Sequence, residues 1–265
     1  MRVLITGCST GFGRGAAVEL NKRGHEVIAT ARRPEVLDDL DVAARLRLDV
    51  DSDESVAEAV AAAGRVDALV NNAGFGVVGP VERLPIAEGK RMFETNFFGP
   101  LRMIQAVLPQ MRERGDGTIV NVTSLAGRVA PPLDGFYSGS KFALEGLTEA
   151  LRYEVGHFGI KVALVEPGFF ETSFSGNVAR FGVEAAPYDE LDRRWALASS
   201  KLRGGETIGP GPEAVAQAIA DVVESNAPKL RNPVGADAEM VLAARAAMDD
   251  EAFEAAMRVT LDLDW

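Results

Sequence analysis

Short apolar runs alternate with longer amphipathic stretches over the first two thirds of the chain. The apolar runs indicate strands, which lie at residues 2–6, 26–31, 45–49, 68–71, 117–122 and 161–165. Because these runs are continuous rather than alternating, we expect both faces of each strand to be buried. Strands in succession with helices predict a parallel sheet, so the expected fold class is α/β, a single doubly wound, Rossmann-like domain with helices on both faces.

Helical periodicity lies between these strands and again towards the end of the chain. It predicts helices at residues 13–23, 53–63, 90–113, 136–158, 212–224 and 236–260. The pattern between residues 169 and 211 is irregular, and this segment is long for a connection. We therefore expect one domain in which residues 1–168 bind a cofactor and carry catalysis, residues 169–211 form a variable substrate lid, and residues 212–265 add C-terminal helices.

Composition and charge exclude several classes of partner. The chain has 265 residues, 47% of them apolar, and a formal net charge of −11. Such an acidic protein repels nucleic acids and anionic membranes, so we expect neither as a partner. The single cysteine, Cys8, excludes an intramolecular disulfide and a cysteine-based zinc site, and neither histidine has further ligands beside it. We expect no metal. The lack of a leader or a long apolar run favours a cytoplasmic protein.

A glycine-rich turn follows the first predicted strand and opens the first predicted helix. Its sequence, over residues 6–13, is Thr-Gly-Cys-Ser-Thr-Gly-Phe-Gly. Glycines let the backbone turn sharply and approach a pyrophosphate closely, and the helix start offers free N–H groups and a positive dipole end. The turn therefore predicts a dinucleotide site made by Gly7, Ser9, Thr10, Gly11, Phe12 and Gly13. The alternative is a tight turn with a purely structural role.

The end of the second predicted strand indicates which dinucleotide binds. Sites that prefer NAD usually have a carboxylate there, whereas this chain has Ala31-Arg32-Arg33. A guanidinium binds a 2′-phosphate through paired, charge-assisted hydrogen bonds. We therefore expect Arg32 to favour NADP(H) over NAD(H), unless both arginines are only solvated loop charges. Asp49 and Val50, at the end of the third predicted strand, are expected near the adenine.

Tyr137 and Lys141 lie four residues apart in a predicted helix, so both side chains share one face. Reduction of a carbonyl requires a proton at oxygen, which Tyr137 could donate, and a Lys141 ammonium favours the phenolate that remains. Ser124 follows the strand at 117–122 and could hydrogen-bond the substrate oxygen. Simpler explanations are a solvated helix face for the pair and a turn-capping hydroxyl for Ser124.

Together, these motifs resemble the classical short-chain dehydrogenase/reductase family over residues 2–172. The motifs that carry the resemblance are the glycine-rich turn, Asn71-Asn72-Ala73-Gly74, Asn96, Ser124, Tyr137 with Lys141, and Pro167-Gly168 with Thr172. The amino-acid sequence of the glycine-rich turn is similar to that found in the branch with retinol and 17β-hydroxysteroid dehydrogenases.

The resemblance implies further site residues. The cofactor is expected to be lined, beyond the glycine-rich turn, by Asn72, Ala73, Gly74, Tyr137, Lys141, Pro167, Gly168, Phe170 and Thr172. Of these, Phe170 and Thr172 would meet the nicotinamide carboxamide. Asn96, which helix propensity disfavours at mid-helix, would hold a water that links Lys141 to solvent as a proton relay. The resemblance also suggests a homodimer or homotetramer built on the helices at 90–113 and 136–158.

The expected activity is an NADP(H)-dependent, reversible interconversion of a carbonyl and an alcohol by hydride transfer, with Tyr137 as general acid and base. NADP use would favour reduction in the cell. The substrate is expected to be small and apolar because aromatic residues cluster near the expected mouth. They are Phe75, Phe136, Phe169, Phe174, Phe181 and Trp195, and core packing would explain them equally well.

Two other functions stay open at the level of sequence. A nucleotide-sugar epimerase or dehydratase also uses a tyrosine and a lysine, but usually with a different glycine spacing and a longer C-terminal substrate domain. A redox sensor would keep the fold and bind NADP(H) without turnover. The intact set of Ser124, Tyr137 and Lys141 argues against the sensor.

Overall fold

The computed structural model describes residues 1–170, 178–202 and 211–263. Seven strands in these residues form one parallel sheet: β1 (Arg2–Ile5), β2 (Glu26–Ala31), β3 (Ala44–Arg47), β4 (Ala68–Asn71), β6 (Gly117–Val122), β7 (Ile160–Pro167) and β9 (Arg231–Val234). Their order across the sheet is β3-β2-β1-β4-β6-β7-β9. Two short strands, β5 (Val77–Val78) and β8 (Ala179–Arg180), pair in parallel apart from this sheet.

Helices lie on both faces of the sheet. In the described residues they are α1 (Gly11–Lys22), α2 (Asp53–Ala63), α3 (Ile86–Phe93), α4 (Gly99–Arg114), α5 (Gly135–Val155), α6 (Asp189–Leu202), α7 (Glu213–Glu224), α8 (Ala236–Ala247) and α9 (Asp250–Leu261). Short 3₁₀ turns lie at Pro34–Leu37, Leu125–Gly127 and Gly156–Phe158. Across the part of the chain that the structure describes, no helix is both long and apolar enough to cross a membrane.

The alternation of side chains along β1 shows how the sheet separates two cores. Val3 and Ile5 lie in one core, together with α1 and α7 residues such as Leu20 and Ile219. Leu4 lies in the other core, with residues of α2, α4 and α5. Both faces of the sheet are therefore buried, as the continuous apolar runs predicted. The prediction of a doubly wound, Rossmann-like α/β fold is confirmed.

The predicted helix at 90–113 is longer than expected and is not regular. It begins four residues earlier, as α3, and a π-helical turn at Glu94–Phe98 joins α3 to α4. A π turn in the middle of an α-helix is rare and often marks a functional site. Here the turn contains Asn96, one of the predicted site residues.

The segment 169–211 is not irregular throughout, as the sequence analysis expected. Its residues 189–202 form the helix α6. Ion pairs from Glu190 to Arg193 and Arg194, at 2.7 and 2.8 Å, support the first turns of α6. Six of the 14 residues of this helix are charged, so apolar periodicity gave little sign of it.

The predicted helix at 236–260 is wrong as a single element, because it is divided into α8 and α9. Met248, which follows α8, has extended backbone angles. The carboxylate of Asp249 then accepts a hydrogen bond from the backbone N–H of Ala252 at 2.8 Å and caps the start of α9. The break allows α9 to pack beside α6.

The sequence analysis also missed strand β9. This strand is short, contains Pro233 and lies at the edge of the sheet beside β7. Proline has no N–H to donate, so a sheet tolerates it mainly at an edge. The strand leads directly into α8 and carries Arg231, which contacts buried groups behind the site described next.

Candidate active site

A cleft of about 1020 Å³ runs along the carboxyl edge of the sheet, where the strand order reverses between β1 and β4. The predicted site residues that line it are Gly7, Ser9, Thr10, Gly11, Phe12, Arg32, Asp49, Val50, Asn72, Ala73, Gly74, Ser124, Tyr137, Lys141, Pro167, Gly168 and Phe170. Gly13 and Asn96 do not line it, and Thr172 lies outside the described residues. The structure therefore brings almost all of the predicted set to one cleft.

The glycine-rich turn forms one end of the cleft. Gly7 and Gly11 have φ angles of 72° and 59°, in the left-handed region that favours glycine. Helix α1 begins at Gly11, and its N-cap residue Thr10 makes no side-chain capping bond. The first N–H groups of α1 therefore lack a side-chain cap and can bind an anion such as a pyrophosphate.

Gly13 has a packing role rather than a direct place in the cleft wall. A Cβ at this position would lie 2.3 Å from Asn72 Nδ2 and 2.5 Å from the Gly7 carbonyl oxygen. The missing side chain lets the Asn72 amide donate hydrogen bonds to the carbonyl oxygens of Thr6 and Gly7, at 2.9 and 3.1 Å. Asn72 thus fixes the shape of the turn while it also lines the cleft.

Arg32 lies at the other side of this end, directly after β2. Its side chain is exposed, and among the described residues it has no hydrogen bond or ion pair. Arg33 is also exposed but does not line the cleft. Asp49 and Val50 line the wall nearby, with Asp51, which the sequence analysis did not anticipate. The Thr95 hydroxyl donates a hydrogen bond to the Asp51 carboxylate at 2.9 Å.

Ser124, Tyr137 and Lys141 meet in the middle of the cleft. The Ser124 hydroxyl oxygen accepts a hydrogen bond from the Ala126 backbone N–H at 3.1 Å, and it shares a second hydrogen bond with the Tyr137 hydroxyl. Lys141 donates from Nζ to the Val122 carbonyl at 3.1 Å, and Nζ lies 5.8 Å from the centre of the Tyr137 ring. Ser124 therefore caps the 3₁₀ turn and also contacts Tyr137.

Burial dominates the ionisation of this group. It raises the pKa of the Tyr137 phenol above its usual range; the hydrogen bond from Ser124 opposes the rise, and the Asp134 carboxylate adds to it. Burial lowers the pKa of Lys141 to about 8, and the neighbouring Glu145 carboxylate opposes that change. The sequence analysis expected Lys141 to favour the phenolate, but in this structure burial outweighs that effect. Tyr137 is consequently protonated at neutral pH.

Asn96 sits in the π turn and is completely buried. Its Oδ1 accepts a hydrogen bond from the Phe75 backbone N–H at 3.0 Å, and its Nδ2 donates to the Phe75 carbonyl at 2.9 Å and to Ser140 Oγ at 3.1 Å. These bonds tie the backbone after Gly74 to helix α5, which carries Tyr137 and Lys141. The predicted role of Asn96 in a proton relay through a water stays a prediction.

The backbone after β7 is held by a carboxylate that the sequence analysis missed. Asp237, in the first turn of α8, accepts a hydrogen bond from the Phe169 N–H at 2.7 Å. A Cβ at Gly168 would lie 2.3 Å from an oxygen of Asp237, so a side chain there would displace the Asp237 carboxylate. Phe170 then packs edge to face against Phe12 of the glycine-rich turn, with ring centres 5.6 Å apart.

The far end of the cleft is mainly apolar. Three of the predicted aromatic residues, Phe75, Phe169 and Trp195, line the cleft; Phe136 and Phe181 pack around Val77 instead, and Phe174 lies outside the described residues. The sequence analysis missed Val241, Phe253, Met257 and Leu261, which α8 and α9 bring to the wall. The spacing of Phe253, Met257 and Leu261 puts them on one helix face, which was the available signal.

Comparisons with known proteins agree with this geometry. A family profile described as short chain dehydrogenase matches residues 1–181. The chain is 38% identical over 263 residues to a 3-ketodihydrosphingosine reductase of Bacteroides thetaiotaomicron, covering 97% of this chain and 96% of the relative. It is 40% identical over 249 residues to human retinol dehydrogenase 8, covering 86% and 79% respectively.

A solved structure shares the fold. A short-chain dehydrogenase from Burkholderia cenocepacia in complex with NADP superposes with a TM-score of 0.78 at 27% identity, covering 96% of this chain and 95% of that one. The match of the family profile, the two relatives and the strand order of the sheet are mutually consistent. The chain therefore belongs to the short-chain dehydrogenase/reductase family of NAD(P)-dependent oxidoreductases.

Proposed function

We propose that this protein is an NADP(H)-dependent reductase that converts an apolar ketone or aldehyde into an alcohol, and that Tyr137 supplies the proton. The observation that carries the proposal is the hydrogen-bonded pair of Ser124 and Tyr137 beside the buried Lys141 ammonium. A protonated phenol is the form that can donate, so the state of Tyr137 suits reduction.

The residues present fit a pyridine nucleotide. Gly7 and Gly11 leave space against the backbone, the first N–H groups of α1 have no side-chain cap, and Arg32 has no partner among the described residues. These features suit a pyrophosphate and an additional 2′-phosphate. The similar Burkholderia structure contains NADP, which also favours the phosphorylated cofactor.

The proposed chemistry uses three side chains. When bound, the reduced nicotinamide supplies the hydride for the carbonyl carbon. Tyr137 transfers its phenolic proton to the carbonyl oxygen and becomes a phenolate, which the Lys141 ammonium stabilises. The hydrogen bond from Ala126 N–H holds Ser124 Oγ in place, and the proton that Ser124 shares with Tyr137 in this structure would turn to the same carbonyl oxygen. Solvent then reprotonates Tyr137.

The proposed substrate is apolar because of the wall around it. Phe169, Trp195, Val241, Phe253 and Met257 line the far end of the cleft. Arg180 and Glu254 line the cleft as well, but they form ion pairs with Asp192 and Arg258 respectively. Retinol and 3-ketodihydrosphingosine, which appear in the names of the two relatives, are largely apolar molecules, and this supports the same class.

The experiment that tests the function measures consumption of NADPH and of NADH, by absorbance, with a panel of long-chain ketones, aldehydes, retinoid carbonyls and steroid carbonyls. We expect at least one member of the panel to be reduced, and faster with NADPH. Tight binding of NADPH without turnover of any member would instead support the redox-sensor alternative.

A further inference from the structure

A cluster of charged side chains lies behind Ser124 and Lys141, on the side away from the cleft. Two of its carboxyl groups are almost completely buried, with 3% of Glu145 and 1% of Glu166 exposed. The charged members of this Glu145–Glu166 cluster are Glu145 and Glu149 on α5, Glu166 on β7, Arg128 after the 3₁₀ turn, and Arg231 on β9. Buried carboxyl groups are costly unless they are paired, so the cluster requires an explanation.

Glu145 contacts both ends of the turn that carries Ser124. Its Oε1 accepts a hydrogen bond at 2.7 Å from the hydroxyl of Thr123, the residue directly before Ser124. Its methylene group lies under Gly127, the last residue of the 3₁₀ turn, where a Cβ would be 3.1 Å from Glu145 Cγ. The position of Ser124 therefore depends on the side chain of Glu145.

The hydrogen bonds of the cluster assign the negative charge of the carboxyl pair to Glu145: burial raises the pKa of Glu145, and the bonds from Thr123 and Arg231 oppose that rise. Glu145 Oε2 accepts a hydrogen bond from Arg231 Nε at 3.0 Å, and with the bond from Thr123 both oxygens act as acceptors. Arg231 also donates to Glu149 at 2.6 Å, at the exposed margin of the cluster. Hydrogen bonds donated to a carboxylate favour its charged form.

We assign the proton of the pair to Glu166, which accepts fewer hydrogen bonds than Glu145. Glu166 Oε1 lies 3.6 Å from Arg128 and 3.8 Å from Arg231, and it has no hydrogen-bond partner among the described residues. Burial raises the pKa of Glu166 to about 7, and the charge of Glu145 contributes. The two carboxyl groups are within hydrogen-bonding reach, which requires a proton on one of them. With one proton on Glu166, the two remaining carboxylates carry two negative charges, which balance the two positive charges of Arg128 and Arg231.

Lys141 lies one turn before Glu145 on α5. The charge of Glu145 is the favourable electrostatic influence on the Lys141 ammonium, and it acts against the burial that lowers the pKa of this lysine. Tyr137, which also faces Lys141, is neutral in this structure. Loss of the charge at Glu145 would therefore leave the ammonium without compensation.

We propose that Glu145 is a positioning residue of the active site, which holds the turn that carries Ser124 and stabilises the Lys141 ammonium, while Glu166 keeps the proton shared by the pair. This proposal rests on the proposed function, because it assigns roles through the same Ser124 and Lys141. Neither Glu145 nor Glu166 lines the cleft.

The main test compares Glu145→Gln with Glu149→Gln. Both variants remove a carboxylate that binds Arg231, but only Glu145 is buried beside Lys141. In Glu145→Gln we expect the alkaline limb of the kcat profile to move down by about one pH unit, with the Kd for NADPH nearly unchanged. In Glu149→Gln we expect the alkaline limb to lie at the same pH as in the wild-type protein. If the two variants have identical pH profiles of kcat, Glu145 does not stabilise the Lys141 ammonium.

Glu166→Gln tests which carboxyl group holds the proton. A glutamine at position 166 can donate an N–H to Glu145 in place of the shared proton and leaves Glu145 ionised. We therefore expect the alkaline limb of this variant to stay at the wild-type pH or above it. A downward shift like that of Glu145→Gln would contradict the assignment.

Thr123→Val tests the mechanical role separately, and it keeps the proposal testable if Glu145→Gln fails to fold. Valine has the shape of threonine but cannot donate the hydrogen bond to Glu145. We expect kcat to fall by about ten-fold without a shift of the alkaline limb, because Ser124 is displaced and Lys141 is not. An unchanged kcat would show that Glu145 does not hold Ser124 in position through Thr123.

Nitrogen-15 NMR of the lysine side chains reads the effect on Lys141 without any turnover. The Lys141 signal is identified by its loss in Lys141→Arg, and its titration is then followed in wild type, Glu145→Gln and Glu149→Gln. We expect the Lys141 pKa to fall only in Glu145→Gln. If that shift occurs while no substrate is reduced, the proposed function fails and the assignment of Glu145 stands; if reduction occurs without the shift, the assignment fails alone.

Discussion

The phenol of Tyr137 is the residue on which the proposed chemistry depends. Tyr137→Phe removes the proton donor and keeps the ring that packs near Val77. We expect kcat for carbonyl reduction to fall by about a thousand-fold, with little change in the Kd for NADPH measured by fluorescence titration. Retained turnover would show that another group delivers the proton.

Arg32 carries the proposed preference for NADPH. Removal of its guanidinium should weaken NADPH binding by about 1.5–3 kcal/mol and leave NADH binding almost unchanged, because a charge-assisted hydrogen bond to the 2′-phosphate is lost. Arg33→Ala is the matched control, since Arg33 has the same charge but does not line the cleft. An equal loss of NADPH affinity in both variants would indicate general electrostatic attraction instead of a specific contact with the 2′-phosphate.

Single residues explain which parts of the site could be predicted from sequence. Tyr137 and Lys141 are neighbours on one helix, and the glycines of the first turn are neighbours in sequence, so short-range spacing indicated them. Asp237 and Glu145 could not be identified in this way. Their partners, Phe169 and Thr123, lie 68 and 22 residues away in sequence, and only the folded sheet brings them together.

Among the elements, the start of α1 shows how closely the glycine-rich turn and β4 are packed. Gly13→Ala would place a Cβ against Asn72 and the Gly7 carbonyl oxygen, so we expect it to destabilise the protein by about 2 kcal/mol and to weaken NADPH binding. Thermal unfolding with and without NADPH measures both effects.

Gly139→Ala serves as the control for that substitution. Gly139 lies inside α5, and a Cβ there would be 3.6 Å from the Phe93 ring, which is ordinary contact. Alanine at this position should raise stability by about 0.5–1 kcal/mol because it favours the helix. Similar losses of stability in the two variants would contradict the packing argument.

The elements that the sequence predicted are those with a strong apolar pattern. Strands β1, β4 and β6 are buried on both sides and appear as continuous apolar runs, whereas β9 is an edge strand with a proline. The apolar pattern of the sequence did not indicate the π turn. Buried residues Met92, Asn96, Gly99 and Met103 follow one another at three- and four-residue spacings, which a regular helix would also show.

At the scale of the whole molecule, the cleft combines the two ends of the chain. The glycine-rich turn near the start and α9 near residue 261 line the same cavity. The site for the cofactor could be predicted because its residues follow strands that meet at one sheet edge. The apolar wall could not, since its position depends on how α6, α8 and α9 fold over that edge.

Exposed apolar side chains at the start of α4 and on α5 are those expected of the homo-oligomer that the family resemblance suggests. Phe98, at the end of the π turn, and Phe142 and Tyr153 on α5 are 42%, 45% and 78% exposed. We expect the protein to be a dimer or tetramer by light scattering, and Phe142→Asp to shift it towards the monomer, because a charge at the centre of an apolar interface is costly.

Val18→Asp is the control for that prediction. Val18 is 51% exposed on α1, which packs on the opposite face of the sheet from α4 and α5. An aspartate there should leave the mass in solution unchanged. A monomeric wild type, or dissociation caused by both variants, would contradict an interface on α4 and α5.

The π turn at Glu94–Phe98 has a consequence for the lengths that this helix can tolerate. Deleting one residue elsewhere between Ile86 and Arg114 would rotate everything beyond the deletion by about 100° about the helix axis and turn its apolar face away from the core. A deletion inside the wide π turn would instead let α3 and α4 join as one regular helix with both apolar faces in place. Such a deletion would disrupt Asn96 and its hydrogen bonds to Phe75 and Ser140, so a shortened chain could keep its fold but lose the link between the backbone after Gly74 and α5.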